Sequence, residues 1–319
     1  MSGKNATAVL LADAQGIARA AAILERGGLV AVPTETVYGL AARADSPEAV
    51  AKIYAAKGRP DFNPLIVHVR DAEQALRYAE LSGAAQALAS NEWPGPLTLV
   101  LPRKPDAALA PAVTAGLPTV ALRAPAHPVM RTLLQAVDFP LAAPSANRSG
   151  FISPTTAPHV LQSLDGRVDL VLDGGPCKSG LESTILAVRH DGTWEELRPG
   201  PLDLGALHQQ YSADTGLRLL ASGSSAIEAP GQLESHYAPG KPLRLNATLA
   251  GDDEFVIGFG EVGGDCTLSA SGDLNDAATR LYDCLHQAAA SDRPRIAVAP
   301  VPEEGIGRAI NDRLRRAAA

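Results

Sequence analysis

The sequence predicts an α/β protein: a twisted, mixed open sheet with flanking helices, followed by a smaller C-terminal α/β unit of Rossmann-like type. Short apolar runs alternate with helical patterns over the first two thirds of the chain, and the alternation resumes after a break rich in Pro and Gly. A length of 319 residues also exceeds what one hydrophobic core usually serves, which favours two units.

Strands are expected at 29–33, 65–69, 97–101, 119–122, 140–143 and 168–172, where apolar runs are bounded by turn residues. Helical patterns fall between many of them, at 17–26, 47–57 and 128–137. The helix at Pro47 has a defined start. Ser46 can cap free N–H groups, Pro47 suits the first helical position, Glu48 faces the positive end of the dipole, and Gly58 ends the helix. Runs at 183–188 and 194–197 flank Asp191 and Gly192, a pair that favours a tight hairpin, so the sheet is expected to be mixed.

After Pro201 a short helical pattern gives way to a Ser/Gly-rich stretch at 221–225 and a Pro/Gly-punctuated stretch at 229–242, which read as an interdomain linker. The expected division is a first domain over 1–207, a linker over 208–241 and a C-terminal domain over 242–319. In the last, strands at 243–245, 255–259 and 296–300 alternate with helices at 274–290 and 305–317.

Composition narrows the function classes. No run approaches the roughly 18 apolar residues of a membrane span, and the start lacks the charged and apolar regions of an export signal, so a cytoplasmic protein is expected. Cys177, Cys266 and Cys284 are far apart and odd in number, which suggests neither a disulfide framework nor a thiolate zinc site. A formal charge of −7 disfavours an extended basic surface, so any anion site must be local.

Four segments can carry chemistry. PTETVYG at 33–39 follows a buried strand, where α/β sheets usually bind ligands, and it clusters Thr34, Glu35, Thr36 and Tyr38; it also reads as a capped turn. KGRPDFNP at 57–64 runs into the strand carrying His68. Pro60 biases Arg59 towards an extended conformation, so Lys57 and Arg59 can address one polyphosphate, although Lys57 taken alone reads better as the complement of a helix end. His68, between Val67 and Val69, reads more readily as a hydrogen-bonded core residue than as a catalyst. TVALR at 119–123 puts Thr119, Ala121 and Arg123 on one strand face, suited to a carboxylate or to solvent. AAPSANRSG at 142–150 leads to Ser153 at a helix start, offering hydroxyls, an amide and free N–H groups for phosphate. Gly-x-Ser-x-Gly and Walker A signatures are absent from the sequence, and so is a zinc spacing of His.

Together these segments resemble the YrdC-like family in its longer, two-domain form, the threonylcarbamoyl-AMP synthases. The resemblance rests on PTETVYG at 33–39, KGR at 57–59 with NPL at 63–65, WPGPLT at 93–98, PSAN at 144–147, EST at 182–184 and RPG at 198–200, in the family's order. APG at 229–231 with HYAP at 236–239 resembles the family's linker, which reaches back over the active site, and PEEGIGRAINDR at 302–313 resembles the tail of its accessory domain.

The resemblance implies a threonine site of Thr36, His68, Thr119, Arg123, Ser183 and the backbone of Ala143. It implies an ATP site of Arg59, Asn63, Ser145, Ser153, Arg198 and Tyr237, with Lys57 and Arg59 carrying the catalytic charge. It further implies that L-threonine, bicarbonate or CO2, and ATP give threonylcarbamoyl-AMP and pyrophosphate, with Mg2+ held through ATP and no metal motif in the protein. The product would pass to transfer proteins that modify tRNA next to the anticodon, with tRNA contact weak or indirect. One rival is an RNA-binding module of the same fold using Lys52, Lys57, Arg59 and Arg148, against which the net acidity weighs. Another is a carbamoyl-phosphate enzyme, whose usual zinc-finger and acylphosphatase modules do not occur in the sequence.

Overall fold

The computed structural model describes residues 6–189, 191, 193–215, 218–220, 228–230, 232 and 236–319. The first part of the chain runs β1 (Ala8–Leu11), α1 (Ala14–Glu25), β2 (Val30–Val32), β3 (Gly39–Arg43), α2 (Pro47–Lys57), β4 (Ile66–His68), α3 (Ala72–Ala75), α4 (Gly83–Glu92) and β5 (Leu97–Pro102). It continues with α5 (Pro111–Thr114), β6 (Thr119–Arg123), α6 (Pro128–Gln135), β7 (Leu141–Ala142), α7 (Ala157–Leu164), β8 (Leu170–Asp173), β9 (Thr184–Val188), β10 (Thr193–Arg198), α8 (Leu204–Thr215) and β11 (Arg218–Leu220). The remainder is β12 (Leu243–Arg244), β13 (Glu254–Gly258), β14 (Cys266–Thr267), α9 (Leu274–Ala290), β15 (Arg295–Val298) and α10 (Gly307–Ala318).

Local chemistry explains the elements that position the site. On α2 the Ser46 hydroxyl accepts from the Ala49 N–H, Pro47 opens the helix, and Gly58 closes it in the left-handed region at φ 60°. Strands alternate between two cores, as a two-residue period requires: Leu40 and Ala42 join one cluster with Val67, Leu99 and Leu122, while Ala41 joins the other with Val30, Leu141 and Leu170. Helix α2 covers the first face through Val50 and Ile53, and α1 and α6 cover the second through Leu24 and Leu133.

Among the described residues the large sheet has 11 strands in the order β1-β8-β2-β3-β7-β4-β6-β5-β9-β10-β11. It is mixed, with β4 parallel to β6 and antiparallel to β7, and with β9 and β10 forming the expected antiparallel hairpin. Asp191 of that turn is described, whereas Gly192, like 221–227 of the expected linker, lies outside the described residues. Strand β11 pairs with β10, so the segment just before 221 packs with the first unit and does not form part of a free connection. The second sheet, β12-β15-β13-β14, is wholly parallel, as expected of a Rossmann-like unit.

The two units share a core, because Val37, Ile152, Leu181 and Tyr237 pack with Leu281, Leu285 and Ile310. Gly180 makes this contact possible. Its φ is +69°, and a Cβ there would lie 2.4 Å from the Ala278 carbonyl oxygen of α9. His159 of α7 and His286 of α9 also stack across the junction, with centroids 3.9 Å apart.

Gly180→Ala is expected to cost about 1–3 kcal/mol of unfolding free energy from the strained φ, with more from the clash, measured by denaturant unfolding. A second expectation concerns acid. Burial pushes His68 and His236 down to about 3 and His286 to about 4, from an ordinary value of 6.5. The unfolded chain then binds more protons below pH 6.5 than the fold does, so stability falls as pH drops from about 6.5 towards 3. Midpoints that do not change between pH 7 and 5 would argue against neutral buried imidazoles.

Candidate active site

The three central strand ends build one pocket. Strands β4 and β6 run in parallel with His68 opposite Arg123, and β7 pairs antiparallel to β4, which brings the 143–147 loop over the same ends. That loop is zipped to the start of β3: the Leu40 N–H donates to the Pro144 carbonyl at 2.6 Å and the Ala146 N–H to the Tyr38 carbonyl at 2.8 Å. The resulting cavity is lined by Arg59, His68, Arg123, Ser145, Ser183 and Arg198 among others, with Pro230, His236 and Tyr237 of the linker across it.

Arg123 is held from three sides. Its Nε donates to the Gly95 carbonyl at 3.2 Å, Nη1 to the Thr36 hydroxyl at 2.9 Å and Nη2 to the Glu35 carboxylate at 2.5 Å. Glu35 also accepts from the backbone N–H groups of Ala126 and His127. Burial would raise the Glu35 carboxyl, but the Arg123 guanidinium and these donors outweigh it and hold it below the ordinary value. Thr34 accepts from the Thr36 and Val37 N–H groups, so PTETVYG is a capped turn and a site wall at once.

Arg59 faces the cavity from the other side. Its Nε donates to the Asn63 carbonyl at 3.2 Å and its Nη2 to the Pro64 carbonyl at 2.8 Å, and burial lowers it to about 10, still cationic at neutral pH. Arg198 donates to the Ser183 carbonyl through Nε at 3.1 Å and Nη2 at 2.9 Å, and Nη2 also reaches the Ser183 hydroxyl at 3.1 Å. Such proximity depends on Gly200, where a Cβ would stand 2.3 Å from the Thr184 nitrogen. His68 is neutral, and its Nδ1 has no partner among the described residues.

Eight of the residues that the resemblance assigned to the threonine and ATP sites therefore meet in one cavity: Arg59, His68, Arg123, Ala143, Ser145, Ser183, Arg198 and Tyr237. Thr36, Asn63 and Ser153 are buried but do not line it; Thr36 braces Arg123, Asn63 lends its carbonyl to Arg59, and the Ser153 hydroxyl donates to Glu182 at 2.6 Å. Lys57 corrects the expectation of a cation in the cavity wall. Its ammonium is buried and donates to the carbonyls of Ser145 and Asn147, each at 2.5 Å, and burial pushes it well below its ordinary pKa. Thr119 does not line this cavity: it begins β6 opposite Pro102, roughly 13 Å along the strand from Arg123, a depth that strand alternation alone does not give.

Glu182 and His236, two cavity-lining residues, were missed. The sequence carried a signal for each, in the EST and HYAP segments, but not their partners. Burial of Lys57 and Arg59 also removes two of the four cations on which an RNA-binding surface would have relied.

Residues 22–200 match the Sua5_yciO_yrdC family model, described as telomere recombination, and residues 203–319 match Sua5_C, described as the C-terminal domain of threonylcarbamoyl-AMP synthase. The chain is 41% identical to a Bacillus subtilis threonylcarbamoyl-AMP synthase, over 95% of this chain and 92% of that one. It is 36% identical to a Pyrococcus abyssi protein of the same name, over 93% and 92% of the two chains. The crystal structure of P. abyssi Sua5 complexed with L-threonine superposes with a TM-score of 0.87 at 34% identity, covering 98% of this chain and 96% of that one. With both halves matched in order and the cavity built from the same ordered segments, the chain belongs to the Sua5/YrdC family in its two-domain form.

Proposed function

We propose that the chain is a threonylcarbamoyl-AMP synthase, a nucleotidyltransferase that converts L-threonine, bicarbonate or CO2, and ATP into threonylcarbamoyl-AMP and pyrophosphate. One observation carries the reading: a single cavity sets a braced Arg123, suited to an amino-acid carboxylate, against Arg59 and Arg198, suited to a polyphosphate. Relatives named for this reaction, similar over nearly the whole chain, support it.

In the reaction the threonine amine first takes up CO2 to form a carbamate. A carbamate oxygen then attacks the α-phosphorus of ATP, a new P–O bond forms, and the bond to the β-phosphate oxygen breaks to release pyrophosphate. No covalent bond to the protein is required, so its work is positioning and charge stabilisation. Arg123 holds the threonine carboxylate, with Thr36 fixing the guanidinium and Ser183 and the Ala143 backbone beside it. His68, uncharged and with a free ring nitrogen, offers a hydrogen bond to the amino or carbamate group without adding charge. Arg59, Arg198 and Ser145 take the phosphates, and Asn63 and Ser153 support them from behind.

Lys57 acts one step back, by pinning the loop that carries Ser145. Mg2+ would enter with the triphosphate, held through its phosphate oxygens. Tyr237 and the linker act as a lid that keeps water from the carbamate and the mixed anhydride. The product serves cytoplasmic transfer proteins that modify tRNA, without strong tRNA binding by this chain.

The direct test supplies threonine, bicarbonate and ATP with Mg2+ and follows pyrophosphate; its release must depend on threonine, and its absence sinks the assignment. Arg123→Ala is expected to raise the threonine KM by on the order of 10–100-fold with a smaller effect on ATP, and Arg59→Ala to do the reverse. Equal effects on both substrates would contradict this division.

A further inference from the structure

Glu182 is the acidic residue among those lining the cavity, and it shares that wall with Arg59, Arg198 and Ser145. An ionised carboxylate in this position opposes a polyanion unless its charge is balanced. The balance comes from the C-terminal unit. Arg313 of α10, 0% exposed, donates through Nε to Glu182 at 3.0 Å, and the Tyr282 hydroxyl of α9 donates to the same oxygen at 2.8 Å. On the other oxygen Glu182 accepts from Ser153 at 2.6 Å. The same guanidinium lies 5.4 Å from the ring centre of Tyr237, whose other neighbours include Tyr282 at 5.6 Å and Arg316 at 5.2 Å.

We propose that Arg313 is a positioning residue through which the C-terminal unit makes the cavity competent for ATP: it neutralises Glu182 and thereby holds Ser153 and Tyr237 at the phosphate side. The proposal rests on the synthase reading for the identity of the polyanion. Burial by itself would raise the Glu182 carboxyl, yet Arg313 first and Arg198 second, with the hydroxyls of Ser153 and Tyr282, hold it at about 2, so it is anionic throughout the working range. A merely structural ion pair at a domain junction would affect stability alone. A charge-balancing one affects the affinity for ATP, and in a way that removal of the carboxylate reverses.

The test is calorimetric titration of ATP with Mg2+ into the full chain. Arg313→Met is expected to weaken ATP binding roughly 10–100-fold, because it leaves an uncompensated carboxylate facing the phosphates. Adding Glu182→Gln to that variant is expected to restore ATP affinity to within about 5-fold of the unmodified chain, as the opposing charge is gone. Tyr282→Phe, which removes a neutral donor from the same carboxylate, is expected to stay within about 3-fold.

Unchanged affinity in a folded Arg313→Met variant, or no recovery in the double variant, overturns the proposal. Should Arg313→Met not fold, Glu182→Gln alone decides: binding at least as tight as in the unmodified chain is expected, and a loss of about 10-fold or more overturns it. Threonine-dependent pyrophosphate release by the unmodified chain tests the synthase reading separately, so an active enzyme with insensitive Arg313 variants would refute only this inference.

Discussion

Burial of positive charge is the constraint on which the rest of the structure depends. Lys57, Arg59, Arg123, Arg198 and Arg313 are the buried lysine and arginine side chains among the described residues, and all five sit in or beside one cavity of a chain whose formal charge is −7. A buried cation without compensation costs several kcal/mol. Two carboxylates, Glu35 and Glu182, balance Arg123 and Arg313 directly. The others are stabilised mostly by backbone carbonyls: those of Ser145 and Asn147 for Lys57, Asn63 and Pro64 for Arg59, and Ser183 for Arg198. Carbonyl dipoles fix a cation without cancelling its charge, so the site keeps a net positive field for an anionic ligand and needs no reorganisation when one arrives.

This solution explains why the site is made of loops at strand ends. A carbonyl inside a sheet ladder is already committed to a neighbouring strand, whereas the 58–65, 143–150 and 181–183 segments lie outside the ladder and can turn theirs towards a guanidinium or ammonium. The strands supply rigidity behind them. His68 and Arg123 are adjacent because β4 and β6 pair in register, and Ser145 meets them because β7 lies on the other side of β4. Glycine appears where backbone must come close to backbone, as at Gly200 against Thr184.

Much of this was legible in the sequence because it is local. The cap at Ser46, the stop at Gly58, the 274–290 helix and the central strands follow from neighbouring residues and periodicity. Strand β3 was not legible: its GLAAR sequence has little β-propensity and follows directly on a turn motif, and pairing with β2 and β7 creates it. Strand β1 was missed for a related reason, since it is four residues long and paired only to β8 in the sheet order. Among site residues, Thr119 shows the limit of strand arithmetic, which gives the face but not the depth. Lys57 shows another limit, because a lysine beside an arginine looks the same in sequence whether it points at a ligand or at a carbonyl. Glu182 and Arg313 are 131 residues apart, and no local pattern connects them.

That long-range pair also bears on why the family's two-domain form exists at all. The first unit has a core of its own besides the shared one, and all the cavity-lining strand ends belong to it. Yet Glu182, Ser153 and Tyr237 have partners on α9 or α10: Arg313 and Tyr282 for Glu182, His286 for the Ser153 carbonyl, and Arg313, Arg316 and Tyr282 around Tyr237. Tyr237 is, moreover, a non-glycine residue held at φ 67°, a strained conformation that persists only where its surroundings over-determine it. The surroundings that do so are largely those of the C-terminal unit. Without that unit, the strained Tyr237 and the buried Glu182 would lose their partners on α9 and α10. The second unit is therefore better understood as the support behind Glu182 and Tyr237, two of the cavity's lining residues, than as an appendage.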